Sequence, residues 1–125
     1  MKKILFVFAS LCGGLSVAMG AYGAHAGARL MSDASLVTFA KAVRYSMHHA
    51  LILFVVVWAL EKFPHQQRLL QVAGICFVTG IVCFSGSLYL LALTGISLGY
   101  ITPLGGMAFL GGWFSLAWAG WRSRL

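Results

Sequence analysis

From Leu69 to Trp121 the chain runs for 53 residues without an Asp, Glu, Lys or Arg. In a chain of only 125 residues, no soluble fold hides such a stretch, because small domains leave much of their surface in water. A bilayer core takes about 20 apolar residues per helix, so this run is too long for one span and right for two. Two shorter uncharged stretches precede it, Ile4 to Ala28 and Tyr45 to Leu60. Hydrophobic residues make up 61% and charged residues 9%, where a soluble domain carries about 45–50% and about 25%. A soluble enzyme domain is excluded.

The pattern predicts an all-α integral membrane protein of one domain, residues 1–125, with four spans in an antiparallel bundle. The spans are placed at about 4–24, 47–63, 69–93 and 102–121, with the third break at Gly95, Gly99 and Pro103. Helices are preferred to a barrel because lipid forces internal hydrogen bonding and no period-two alternation appears. Between spans one and two, Ser32 and Asp33 offer N-caps. Leu36, Phe39, Ala40, Val43 and Met47 then recur at helical spacing. Residues 33–46 are therefore expected as an amphipathic interfacial helix running into span two.

Basic residues set the orientation. Lys2, Lys3, Lys62, Arg68, Arg122 and Arg124 flank one side, against Arg29, Lys41 and Arg44 on the other. The positive-inside rule places both termini in the cytoplasm and the protein in the cytoplasmic (inner) membrane. The scattered charges form no basic face for nucleic acid, so the partners expected are the lipid bilayer and another membrane protein or a second copy. Met1-Lys2-Lys3 followed by an apolar run also resembles a signal peptide, with Ala24-His25-Ala26 as a cleavage site. Ile4–Ala24 is long for such a segment, however, and Leu11 before Cys12 does not fit a lipoprotein signal. The run is kept as a span.

Cys12, Cys76 and Cys83 all fall within spans. Cys76 and Cys83 lie about 10 Å apart along one helix and cannot bridge. Adjacent His48 and His49 point about 100° apart, and no zinc-type spacing exists. No metal and no cofactor is expected.

Small residues carry the packing signal. Cys12, Ser16, Gly20, Ala24 and Ala28 recur every four residues in span one. Span three offers Cys76, Thr79, Gly80, Cys83, Gly86 and Ser87, and span four Ala108, Gly112, Ser115 and Ala119, after Gly105 and Gly106 in its first turn. Such stripes let membrane helices approach closely. The polar residues give a second pattern. Antiparallel order places His25 and His49 at the same membrane face, with Ser85, Ser87 and Tyr89 ending span three nearby and Thr102 opening span four. They are expected to gather in the outer half, facing the bundle interior.

Several segments resemble one family. They are Gly20-Ala21-Tyr22-Gly23-Ala24-His25, Tyr45 with His49-Ala50-Leu51, Phe84-Ser85-Gly86-Ser87-Leu88-Tyr89, and Thr94-Gly95. Ile101-Thr102-Pro103-Leu104-Gly105-Gly106 and Gly112-Trp113 complete the series. Together they are similar to the YgdD-like family of small bacterial inner-membrane proteins, a domain of unknown function. The resemblance covers nearly the whole chain, in order. Ser46 stands where the family commonly has Gln, and His48 where it has an aromatic. The resemblance implies a four-helix membrane protein with no assigned activity or cofactor.

No Ser-His-Asp set, carboxylate pair or phosphate loop is present, and the acids are Asp33 and Glu61 alone. The expectation is a non-enzyme: an accessory or structural bundle protein. The alternative is a small-solute or proton conduit through the outer-half cluster, since imidazoles titrate near neutral pH.

Overall fold

The apolar runs are helical in the computed structural model, which describes residues 1–124. Helix α1 spans Lys2–Ala24, a short α2 spans Ala26–Leu30 and α3 spans Asp33–Lys62. After a 3₁₀ turn at Pro64–Gln66 come α4 (Gln67–Gly80), a π-helical turn at Ile81–Ser85 and α5 (Gly86–Thr94). Helix α6 spans Ile101–Arg122. Three helical stretches, Lys2–Ala24, Asp33–Lys62 and Pro64–Thr94, are long and apolar enough to cross a membrane. At 22 residues α6 is about 33 Å long, but its glycines and tryptophans lower its mean hydropathy.

The segment expected as an interfacial helix running into span two is the first part of α3, continuous with that span. Ser32 caps it, its hydroxyl accepting the Ser35 amide at 3.2 Å. The apolar face of this segment has another use. Phe39 is buried, its ring tilted against Tyr22 of α1 and edge-to-face with Tyr89 of α5. Helical periodicity locates an apolar face, but it does not say whether lipid or a neighbouring helix covers that face.

Successive helices fold back on each other. Lys2 Nζ meets Glu61 Oε1 at 3.1 Å, Ser16 faces Ser46, and Gly20 and Gly23 face Val43 and Phe39. As the number rises along α1 it falls along α3, so the two are antiparallel. His49 packs on Phe77 and Phe39 on Tyr89, which makes α4–α5 antiparallel to α3. Gly112 meets Phe77, Gly80 meets Phe109, and Ser87 meets Thr102, so α6 runs back along α4–α5. The N-terminus, the Pro64 turn and the end of α6 therefore share one end of the bundle. The apolar core lies toward that end and includes Leu5, Leu53, Leu60, Leu70, Phe77 and Phe109.

The π-helical turn was not expected within span three. It falls where α6 comes closest: a Cβ on Gly105 would strike the backbone nitrogen of Phe84. A π turn holds one more residue than an α turn and re-aims the helix face beyond it. Past α5, Gly95 (φ 73°) takes the left-handed conformation that ends a helix, its amide donating to the Leu91 carbonyl at 2.9 Å.

Candidate functional site

The polar side chains meet in small separate groups. The first joins three helices. Ser16 Oγ lies 2.7 Å from Ser46 Oγ, which lies 3.3 Å from the Tyr89 hydroxyl. Ser16 also reaches the Cys12 carbonyl at 2.8 Å, and Ser46 the Val43 carbonyl at 3.0 Å. Each hydroxyl has one proton to give. With Tyr89 donating to Ser46, two orders use all three protons: Ser46 to Ser16 to the Cys12 carbonyl, or Ser16 to Ser46 to the Val43 carbonyl. A carbonyl cannot pass a proton on, so the chain is a tie between α1, α3 and α5. Tyr89→Phe should then cost roughly 0.6 kcal/mol and at most about 2, the range of interhelical hydrogen bonds in membranes. Reversible unfolding in micelles checks it; an unchanged midpoint would mean that the hydroxyl contributes nothing.

The second group centres on His49, buried on α3. Its ring stacks on Phe109 with centroids 3.5 Å apart and planes 10° from parallel. Nδ1 lies 2.7 Å from the Tyr45 carbonyl, and the Trp113 Nε1–H donates to Nε2 at 3.2 Å. An indole N–H only donates, so Nε2 accepts and the proton sits on Nδ1, donated to Tyr45. The imidazole is neutral, with both nitrogens engaged. Phe77 closes the edge of the same aromatic box.

The third group is Ser87 with Thr102, whose hydroxyls bond between α5 and α6, while Ser87 also donates to the Phe84 carbonyl at 2.9 Å. Ser85, in the π turn, is 1% exposed, and its hydroxyl has no partner.

The expected single cluster is therefore corrected. His25 lies exposed in the break between α1 and α2 and bonds to none of the other five residues. His49 sits three residues beyond Ser46 on α3, opposite about position 13 of α1. That is twelve residues from His25, about 18 Å along the helix. Adjacent histidines fare differently, with His49 buried and His48 exposed. Sequence reasoning missed Ser46 as a polar partner, and missed Trp113 and Phe109 as the histidine's neighbours. A register was available: residues equidistant from a tight fold-back face each other, and Ser16 and Ser46 are equidistant from Met31.

Among the residues expected to pack, Gly80, Gly105 and Gly112 lie against the rings or backbone of Phe109, Phe84 and Phe77. Gly20 lies at ordinary contact distance from Val43, and Gly106 from the Phe84 ring. Ala24 lines a groove with Phe39 and Val43. Gly86 is the exception. It is exposed and turns away from the interface, because the π turn rotates it off the face that a regular helix would give it. Among the described residues no group of three or more His, Cys, Asp or Glu could hold a metal ion.

Residues 19–106 match the family model described as a protein of unknown function (DUF423). The chain belongs to the DUF423 family. Relatives of this family align over most of both chains. The UPF0382 membrane protein YwdK of Bacillus subtilis (strain 168) is 41% identical over 115 residues, covering 91% of this chain and 93% of its own. The UPF0382 membrane protein SH2409 of Staphylococcus haemolyticus is 40% identical, covering 91% and 92%. The UPF0382 inner membrane protein YgdD of Escherichia coli (strain K12) is 32% identical over 117 residues, covering 90% and 85%. No solved structure matches the chain. The DUF423 segment takes in Gly20, His49, the π turn and Gly105, and so most of the interhelical contacts described above.

Proposed function

We propose that this DUF423 protein is a four-span accessory or structural protein of the cytoplasmic membrane, without enzymatic activity and with both termini in the cytoplasm. One observation carries the reading. Apart from Ser85, the interior polar side chains are spent on one another, as Ser16–Ser46–Tyr89, His49–Trp113 and Ser87–Thr102. None of these groups pairs an acid with a base or converges on an open cavity, as catalysis requires. The fourth span is α6, which packs along α4–α5 and has the length to cross. The inward end is the one bearing Lys2, Lys3, Lys62, Arg68, Arg122 and Arg124. The opposite end carries Arg29 and Lys41, with Arg44 farther along α3. The lipid face left by the bundle is where another membrane protein or a second copy would sit.

Two measurements test this. Single cysteines placed at Ser97 and Ser123, on either side of α6, should react with an impermeant thiol reagent from opposite faces of the membrane. Labelling of both from one face would remove the fourth span. For transport, liposomes holding a pH-sensitive dye should leak equally with wild-type protein, with a His25→Ala/His49→Ala variant and with no protein. A wild-type leak abolished by the double substitution would establish a proton conduit instead.

A further inference from the structure

The end of the bundle that holds both termini carries more than scattered positive charge. Two adjacent cavities open there, of about 460 and 350 Å³. The first is lined by Lys62, Arg122 and Arg124, the second by Arg68 and Arg122, and both by His65. Arg122 is the permanent charge that lines both. The acidic side chain beside these residues in sequence, Glu61, is engaged by Lys2 at 3.1 Å. No other acidic residue lies in this part of the chain, since Asp33 lies in the first turn of α3, at its far end. Among the described residues, the cavities thus hold four permanent positive charges and no acidic side chain.

Directly below lies an apolar groove of about 640 Å³ between α4 and α6, lined by Leu69, Phe114, Ala117, Trp118 and Trp121. Leu69 also lines the second basic cavity, so groove and cavities form one continuous surface. From Phe114 to Trp121 the groove follows α6 for about 10 Å. The groove is shallow and open, with Ser115 and Ala117 leaving room beside the exposed rings of Phe114, Trp118 and Trp121. Tryptophan indoles favour the boundary between acyl chains and headgroups, and Trp118 and Trp121 lie in the last two turns of α6. Basic pockets between membrane helices on the cytoplasmic side take up anionic headgroups.

We propose that this surface is a binding site for an anionic phospholipid with two phosphates in one headgroup, a diphosphatidylglycerol. One phosphate sits with Lys62 and Arg124 and the other with Arg68, both against Arg122. An acyl chain lies in the Leu69–Trp121 groove. Two adjacent cavities that share Arg122 match two phosphates joined by a short linker, and charge complementarity selects an anionic lipid over a zwitterionic one. The inference rests on α6 lying in the membrane. The thiol-labelling experiment tests that premise separately, so the two failures are distinguishable.

The test is the melting temperature of the full chain in phosphatidylcholine nanodiscs, alone or with diphosphatidylglycerol. The wild type should melt several degrees higher with the anionic lipid. Arg68→Gln/Arg122→Gln should lose most of that rise, and Ala117→Phe, which fills the groove, should also reduce it. Arg68 and Arg122 are exposed, so the double variant should melt like the wild type in phosphatidylcholine alone. Lys3→Gln, at the same end but outside both the cavities and the Lys2–Glu61 pair, should keep the rise. An equal rise in all variants would reduce the effect to general surface charge and overturn the site. An equal rise with phosphatidylglycerol would overturn the two-phosphate headgroup, and an equal rise with inorganic pyrophosphate would overturn the lipid.

Discussion

Gly105→Ala is expected to be among the most damaging single-methyl substitutions in the protein. The added carbon would collide with the Phe84 backbone nitrogen and stand 2.8 Å from both Phe84 Cα and Cβ. A flexible ring can swing aside; a helical backbone cannot move without parting α6 from the π turn. Overpacking costs about 1–3 kcal/mol where side chains yield, and here the cost should reach the top of that range or exceed it. Gly106→Ala is the internal control. Its new carbon would sit 3.7 Å from the edge of the Phe84 ring, an ordinary contact, so it should be neutral or gain up to about 1 kcal/mol from the stiffer helix. Unfolding midpoints in micelles, measured side by side, decide it. Equal midpoints would show that α6 does not approach Phe84 as closely as described.

His49→Ala should have a comparable effect by the opposite route. It removes a buried ring sandwiched against Phe109 and beside Phe77, leaves a cavity, and strips the Trp113 indole of its acceptor. Large-to-small core substitutions cost about 2–5 kcal/mol. His25→Ala, at the exposed break, should change stability by less than about 0.5 kcal/mol. The contrast is measurable in one unfolding series, and equal losses for the two histidines would put His49 outside the core.

Much of this fold was legible in the sequence, and the limits are physical. Charge spacing locates the apolar runs because lipid penalises ionised groups anywhere along a span. Four-residue spacing of small residues locates contact faces, as at Gly80, Gly105 and Gly112, because helix geometry fixes which residues share a side. Neither signal carries depth. His25 and His49 were placed together because each lies near the end of an apolar run. Yet α3 extends well past the expected start of span two, which lowers His49 toward the bundle's middle. The π turn left no trace in composition, since its cause is the approach of α6, a contact made far along the chain. The same turn rotates Gly86 outward and brings Ser85 inward without a partner.

The central claim is that the interior polar groups hold helices together, and the His49–Trp113 bond between α3 and α6 tests it most directly. A double-mutant cycle of His49→Phe, Trp113→Phe and the pair, read by reversible unfolding in micelles, isolates the coupling between the two rings. A favourable coupling of about 0.6–1.7 kcal/mol is expected, the range for hydrogen bonds between membrane helices. Strictly additive losses would contradict the account, because the two side chains would then stabilise the bundle independently.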